Sequence, residues 1–216
     1  MVKVSVIVPA YKSVKYIERC LRSLEDQTLD PNEFEVILVI DGPDQLMNSI
    51  VSKKFSKVLI VSHEKNLGLP SALNTGLVKA LGQYVLRVDS DDYVESHYLE
   101  YLLYAIESNP DYEAVHCDYI EVDLKEKHTK RCDSRKDPIG CGIIFSRQSL
   151  LDIGLYNVDF QLREEEELMI RFEAARYNKL HLPLPLYRYR KHTSNISNNT
   201  KAMKHFKDKL ERDEKF

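Results

Sequence analysis

The chain has no tryptophan, and its 216 residues include only 7 glycines, 8 prolines and 4 cysteines. That scarcity of glycine and proline excludes collagen-like and low-complexity architectures. Cys20, Cys117, Cys132 and Cys141 stand far apart, with no CxxC pair and no zinc-ligand spacing, so neither a disulfide framework nor a cysteine-based zinc site is indicated. A reduced compartment fits such cysteine usage. No apolar run reaches the roughly 20 residues that a spanning helix needs. The first apolar stretch, Val4 to Val8, stops at Pro9, too early for the apolar region of a signal peptide. The expectation is a cytoplasmic protein whose contact with a membrane, if any, is peripheral and at the inner face. A formal net charge of -3 supplies no excess of either sign to attract a polyanion, and no nucleic-acid partner is expected.

What is present is the composition of a folded domain, 43% hydrophobic and 30% charged. Short apolar runs alternate with segments of helical period, the pattern of βαβ units and a parallel sheet. The runs predict strands at 3–8, 34–40, 57–62 and 83–88. Ser13 is placed to cap a helix whose apolar face is Val14, Ile17, Leu21 and Leu24. Pro70 suits the first turn of a later helix carrying Leu73, Leu77 and Leu81. After 92, a helix over about 95–108 buries Tyr98, Leu102, Ala105 and Ile106. The segments 112–122 and 127–132 look more antiparallel, and Gly140-Cys141-Gly142 leads into Ile143-Ile144-Phe145. With no linker or repeat, residues 1–200 are expected to form one α/β domain. Residues 201–216 form a charged helical tail with Met203, Phe206 and Leu210 as a narrow apolar stripe, most simply docked on the core.

Polar groups gather where the strands end. Asp41-Gly42-Pro43 follows the second, and Asp89-Ser90-Asp91-Asp92 follows the fourth. In open α/β sheets such ends line the ligand crevice, and hard oxygen donors there suit Mg²⁺ or Mn²⁺ shared with phosphates. The same acidic run is also a ready cap for a following helix. Glu164-Glu165-Glu166-Glu167 opens a helix with Leu168, Phe172 and Ala175 as its core stripe, which turns Glu164 and Glu165 inward. First-turn acids complement the helix dipole, and Glu167 can pair with Arg171. An inward Glu with a raised pKa is equally suited to act as a general base. Leu186 to His192 alternates apolar with basic residues as a half-buried strand does. Arg190, Lys191 and His192 make its end cationic, as a diphosphate would require.

These motifs stand in an order that resembles the family 2 glycosyltransferases. The resemblance runs from Val4 to about Ser197. It rests on 4–11, on Glu35 to Gly42, on Asn66-Leu67-Gly68 with 72–76, and on Asp89-Ser90-Asp91-Asp92. It continues through Gly142, Phe145-Ser146-Arg147 and Ile153-Gly154, then Glu164-Glu165 with Leu168 and Arg171, and ends at Tyr189-Arg190-Lys191-His192. The resemblance implies the GT-A fold, a three-layer αβα sandwich around a mostly parallel sheet. It further implies a nucleotide-diphosphate sugar donor, UDP by default, a divalent metal (Mn²⁺ or Mg²⁺), and a glycan or lipid-linked saccharide acceptor. Carried over by position, Pro9, Ala10, Tyr11 and Asp41 hold the nucleotide base, Gly68 and Ala72 line the same pocket, and Asp89 approaches the ribose. Asp91 binds the metal, His192 completes that site, Glu165 is the catalytic base of an inverting transfer, and Arg190 assists at the diphosphate.

The chain departs from the family pattern at three positions. The base is usually Asp where Glu165 stands, which leaves Glu164 and Glu166 as alternatives. The arginine often found at the position of Leu73 is missing, and Ile40 replaces the first of two consecutive aspartates. Two rival classes follow from the same features. One is a nucleotide-sugar-binding module without turnover. The other is a sugar nucleotidyltransferase, which would want a glycine-bearing loop straight after the first strand; Pro9-Ala10-Tyr11-Lys12-Ser13 contains no glycine.

Overall fold

The computed structural model describes residues 1–193 and 195–213, the side chains of Ser197 and Asp213 aside. Ser194 in the polar stretch after His192, and 214–216 at the end of the predicted tail, lie outside the described residues. The elements in chain order are β1 (Val4–Ala10), α1 (Val14–Glu25), β2 (Phe34–Ile40), α2 (Gln45–Lys54), β3 (Val58–Ser62), α3 (Leu69–Lys79), β4 (Tyr84–Arg87) and β5 (Tyr93–Val94). They continue as α4 (Tyr98–Glu107), β6 (Ala114–Val122), β7 (His128–Cys132), β8 (Ile143–Ser146), α5 (Arg147–Asp152), α6 (Glu164–Ala174), β9 (Lys179–Arg190), a short 3₁₀ turn and α7 (Thr200–Asp213).

The strands make one sheet in the order β3-β2-β1-β4-β8-β6-β9-β5, with β7 on the flank of β6. The wing β3-β2-β1-β4 is parallel throughout, and β1 at its centre is buried along its whole length. Parallel strands covered on both faces read as continuous apolar runs, which is why this wing is visible in the sequence. From β4 outward the sheet continues through antiparallel pairings with β8 and β6, while β9 runs parallel to β6 and pairs antiparallel with β5.

Side chains alternate across the sheet and so divide the core in two. Val4, Val6 and Val8 of β1 pack with Ile17 and Leu21 of α1, Met47 of α2 and Leu99 and Leu102 of α4. Ile7 faces the other layer, with Leu73 and Leu77 of α3 and Leu168 and Phe172 of α6. The three-layer αβα sandwich is therefore present. Gly76 lets α3 lie close on this sheet, since a Cβ there would sit 2.5 Å from Ile7 Cγ2.

Several local expectations are corrected. Leu81 lies beyond α3 and is 73% exposed, because Gly82 turns the chain into β4. Ala175 follows the last residue of α6 and is exposed, leaving Leu168 and Phe172 as its buried stripe. The acidic run at 89–92 does not cap the next helix: the two-residue strand β5 intervenes and α4 starts at Tyr98 after His97. Ser13 sits at the N-terminus of α1, yet its hydroxyl bonds Ser90 Oγ at 2.8 Å and makes no cap.

Candidate active site

Because β1, β2 and β4 are parallel, Ala10, Asp41 and Asp89 come out on one edge of the sheet. β9 reaches the same edge, since its pairing with β5 lays Arg188 beside Tyr93 and so delivers Arg190 and His192 to the acidic loop.

The three aspartates of that loop have three different surroundings. Asp92 is buried and holds the loop together: it accepts hydrogen bonds from Tyr187 Oη at 2.8 Å and from the Arg190 backbone N–H at 2.7 Å. Burial, with Asp91 and Asp89 nearby, pushes its pKa well up. Asp89 lies against Arg87, which donates through Nε at 2.5 Å and Nη2 at 2.9 Å. Asp91 faces His192, with Oδ2 2.8 Å from Nε2. Burial and the charge of Asp89 raise the Asp91 pKa, the setting of a carboxylate that gains from a cation.

A carboxylate oxygen and an imidazole nitrogen at that separation suit adjacent ligands of Mn²⁺ or Mg²⁺, leaving further positions for phosphate and water. Tyr16 of α1 stacks on the His192 ring at 5.1 Å, and its buried hydroxyl has no hydrogen-bond partner among the described residues.

Arg190, expected at the diphosphate, is 3% exposed. Its Nε donates to the Asp91 carbonyl at 2.8 Å and its Nη2 to Glu126 at 3.0 Å, so it fixes the loop from behind. Among the predicted nucleotide contacts, Tyr11 presents an exposed ring, whereas Ala10 and Ala72 are core residues and Pro9 is buried. Asp41 accepts from the backbone N–H groups of Leu67 and Gly68, both at 2.8 Å, and pairs with His63 Nδ1 at 2.8 Å. It thereby folds the 63–68 loop over the strand end, with Gly68 at φ +91° ahead of α3.

The four glutamates of α6 separate by their partners. Glu164 is buried and accepts from Arg87 Nη1 at 2.8 Å. Glu166 pairs with Arg163, and Glu167 with Arg171, whose Nη2 lies 2.6 Å from it. Glu165 has no ion-pair partner among the described residues. Burial, and then the charge of Glu164, raise its pKa to about 7. A carboxylate in that range holds and releases protons near neutrality, as a general base requires.

Two other groupings of metal-type ligands are already occupied by protein. Asp89, Asp92 and Cys141 lie together, but both carboxylates are hydrogen-bonded as described and burial pushes the Cys141 thiol well up. Asp118, Asp133 and His181 also lie together. Arg135 binds Asp133, while the Ser134 N–H and His181 bind Asp118, so this cluster clips the chain after β7 to β6 and β9.

Sequence reading gave no role to Arg87, Tyr16, His63, Glu126 or Tyr187. Arg87 carried a signal, an arginine on a buried strand directly before an acidic run. The others carried none.

A family model described as Glycosyl transferase family 2 matches residues 5–162. The amylovoran biosynthesis glycosyltransferase AmsE of Erwinia amylovora is 29% identical over 204 residues, 86% of this chain and 75% of that protein. The poly(ribitol-phosphate) beta-N-acetylglucosaminyltransferase TarS of Staphylococcus aureus is 45% identical over 103 residues, 46% of this chain and 18% of TarS. The crystal structure of TarS 1-349 in complex with UDP-GlcNAc superposes with a TM-score of 0.75 at 24% identity, covering 91% of this chain and 61% of that one. The mannosyltransferase PcManGT of Pyrobaculum calidifontis, in complex with GDP-Man and Mn²⁺, gives 0.74 at 19% identity, covering 91% and 59%. These structural likenesses concern the fold. The chain spans as little as 14% and 31% of the length of other curated glycosyltransferases that it matches.

Proposed function

The chain belongs to glycosyl transferase family 2, and on that premise we propose that it moves a sugar from a nucleoside-diphosphate donor, UDP in the first instance, to a hydroxyl of a glycan or lipid-linked acceptor. The observation that carries this reading is Glu165, the carboxylate without an arginine in a run whose other members each have one. In the proposed reaction Glu165 takes the proton of the acceptor hydroxyl while that oxygen attacks the anomeric carbon. The bond from that carbon to the diphosphate breaks on the opposite side, so the configuration inverts and the nucleoside diphosphate leaves.

Tyr11, Asp41 and the Gly68 loop hold the nucleotide base, with Pro9, Ala10 and Ala72 shaping the floor beneath them. Asp89 receives the ribose. Asp91 and His192 would hold Mn²⁺ or Mg²⁺, which when bound supplies positive charge for the leaving diphosphate. Arg190 serves by fixing Asp91 through its carbonyl. The acceptor enters by the segment 140–164, and a surface or capsular polysaccharide is the setting that the names of the relatives support. A cytoplasmic site of action, with at most peripheral contact at the inner face of the membrane, agrees with four buried cysteines that form no disulfide. No helix among the described residues is long and apolar enough to cross a membrane.

Calorimetric titration of UDP, GDP and dTDP, each with and without Mn²⁺, tests the reading on wild type and on Asp91→Ala. Mn²⁺-dependent binding of one nucleotide, lost in the variant, is expected. Equal binding by the variant would remove the metal assignment, and no binding of any nucleotide by wild type would overturn the donor reading.

A further inference from the structure

We propose that Arg87 is a positioning residue whose guanidinium ties the strand-end Asp89 to the first turn of α6 through Glu164, and so fixes where Glu165 presents its carboxylate to the crevice. The role rests on the transferase reading above.

The geometry begins with the shape of the side chain. A guanidinium offers five donors in a rigid plane and can serve two carboxylates at once, which an ammonium on a flexible stem cannot do with the same geometry. Nε and Nη2 of Arg87 take both oxygens of Asp89, and Nη1 takes Glu164 Oε1 at 2.8 Å. Asp89 lies two residues beyond the end of β4, and Glu164 begins α6, 77 residues beyond Arg87 in the chain. Among the described residues no other first-turn glutamate of α6 pairs with the sheet, because Glu166 and Glu167 are held by Arg163 and Arg171, neighbours on or next to the same helix, and the pair of Glu173 with Lys179 of β9 lies at the opposite end of α6. α6 also lacks a side-chain cap, since Arg163 precedes it in the left-handed region at φ +60°. The placement of its first turn against β4 therefore falls to Arg87.

The bridge is sheltered from water. The Arg87 side chain is 11% exposed and that of Glu164 4%. Gly140 closes over it: a Cβ there would stand 3.0 Å from Arg87 Nη1 and 3.3 Å from Glu165 Cδ. In such a setting, removing one partner strands the other charge. The charged and titratable groups around Glu165 are Glu164 and Glu166 on its own helix, Arg87 from β4, and Tyr156 from the segment before α6. Among these, Arg87 favours the ionised base and Glu164 opposes it.

Two substitutions should therefore move Glu165 in opposite directions. Carboxyl-¹³C glutamate labelling, assigned by loss of a signal in Glu165→Gln, reads its titration directly in wild type, Arg87→Met, Arg87→Lys and Glu164→Gln. Arg87→Met should move the Glu165 pKa up, and weaken UDP binding with Mn²⁺ by about tenfold or more as Asp89 loses both its bonds. Arg87→Lys should recover much of the pKa but not the UDP affinity. Glu164→Gln should move the pKa down. Glu165 titrating alike in all four proteins would overturn the proposal. If Arg87→Met does not fold, Glu164→Gln decides, an unmoved or raised pKa counting against the clamp. Should the titrations behave as expected while wild type binds no nucleotide, the clamp stands and the transferase reading falls.

Discussion

Glu165 and Glu166 are adjacent and chemically identical, yet among the described residues the first has no ion-pair partner while the second is paired with Arg163. That difference gives the single residue its chemistry. Glu165→Gln should lower turnover by about 10²–10⁴-fold, the usual loss when a general base is removed, with UDP affinity unchanged in calorimetry. In wild type, turnover should rise with pH through about 7 as Glu165 ionises, and fall away on the acid side. Stability should run the other way. Because the folded pKa lies above the unfolded one, the folded chain keeps a proton that the unfolded chain has already released, so stability declines as pH rises from the ordinary glutamate range to about 7. Glu165→Gln should therefore melt higher than wild type at pH 8 and at the same temperature below pH 4; equal melting at both would contradict the raised pKa. At this scale Asp41, Asp89, Asp91, Glu165 and His192 were legible as candidates, since charge at strand ends and at an inward helix turn is visible in one dimension. Tyr16 meets His192 through a contact spanning most of the chain, and the bond from Arg87 to Glu164 joins residues 77 apart; no local spacing announces such contacts.

Among the elements, the parallel wing was legible because its inner strands, covered on both faces, must be apolar throughout. β5, at two residues, is too short to show any period. β9 was read only from Leu186, although it begins at Lys179. Pro183 and Pro185 argue against a strand in sequence, and the structure accommodates them where the register with β6 shifts after Cys117 and Asp118. The turn into β4 depends on a close approach of backbones. A Cβ on Gly82 would lie 2.7 Å from Ser5 N and 2.8 Å from Val4 C, neither of which can move without displacing β1. Gly82→Ala should accordingly cost about 1–3 kcal/mol, seen as a lower denaturant midpoint at unchanged slope; an unchanged midpoint would show that the turn relaxes freely.

For the molecule as a whole, α7 completes the side of the domain next to α6. Phe206 lies against Phe160 at 6.1 Å, Leu210 is buried, and the Met203 carbonyl accepts from Arg163 Nε at 3.1 Å. Arg163 also holds Glu166, so the tail is linked to the start of α6. Phe206→Ala should lower the melting temperature and speed amide hydrogen exchange over 160–168 while leaving β1 protected; unchanged exchange there would show that the tail is independent. The sequence by itself determined the layered α/β plan, the edge at which the polar residues gather and the chemical types available there, because apolar period and strand-end chemistry are local properties of a chain. The tertiary structure decided which carboxylate is paired, which is free to take a proton and which arginine faces inward, because burial and ion pairing depend on groups brought together from distant parts of the chain.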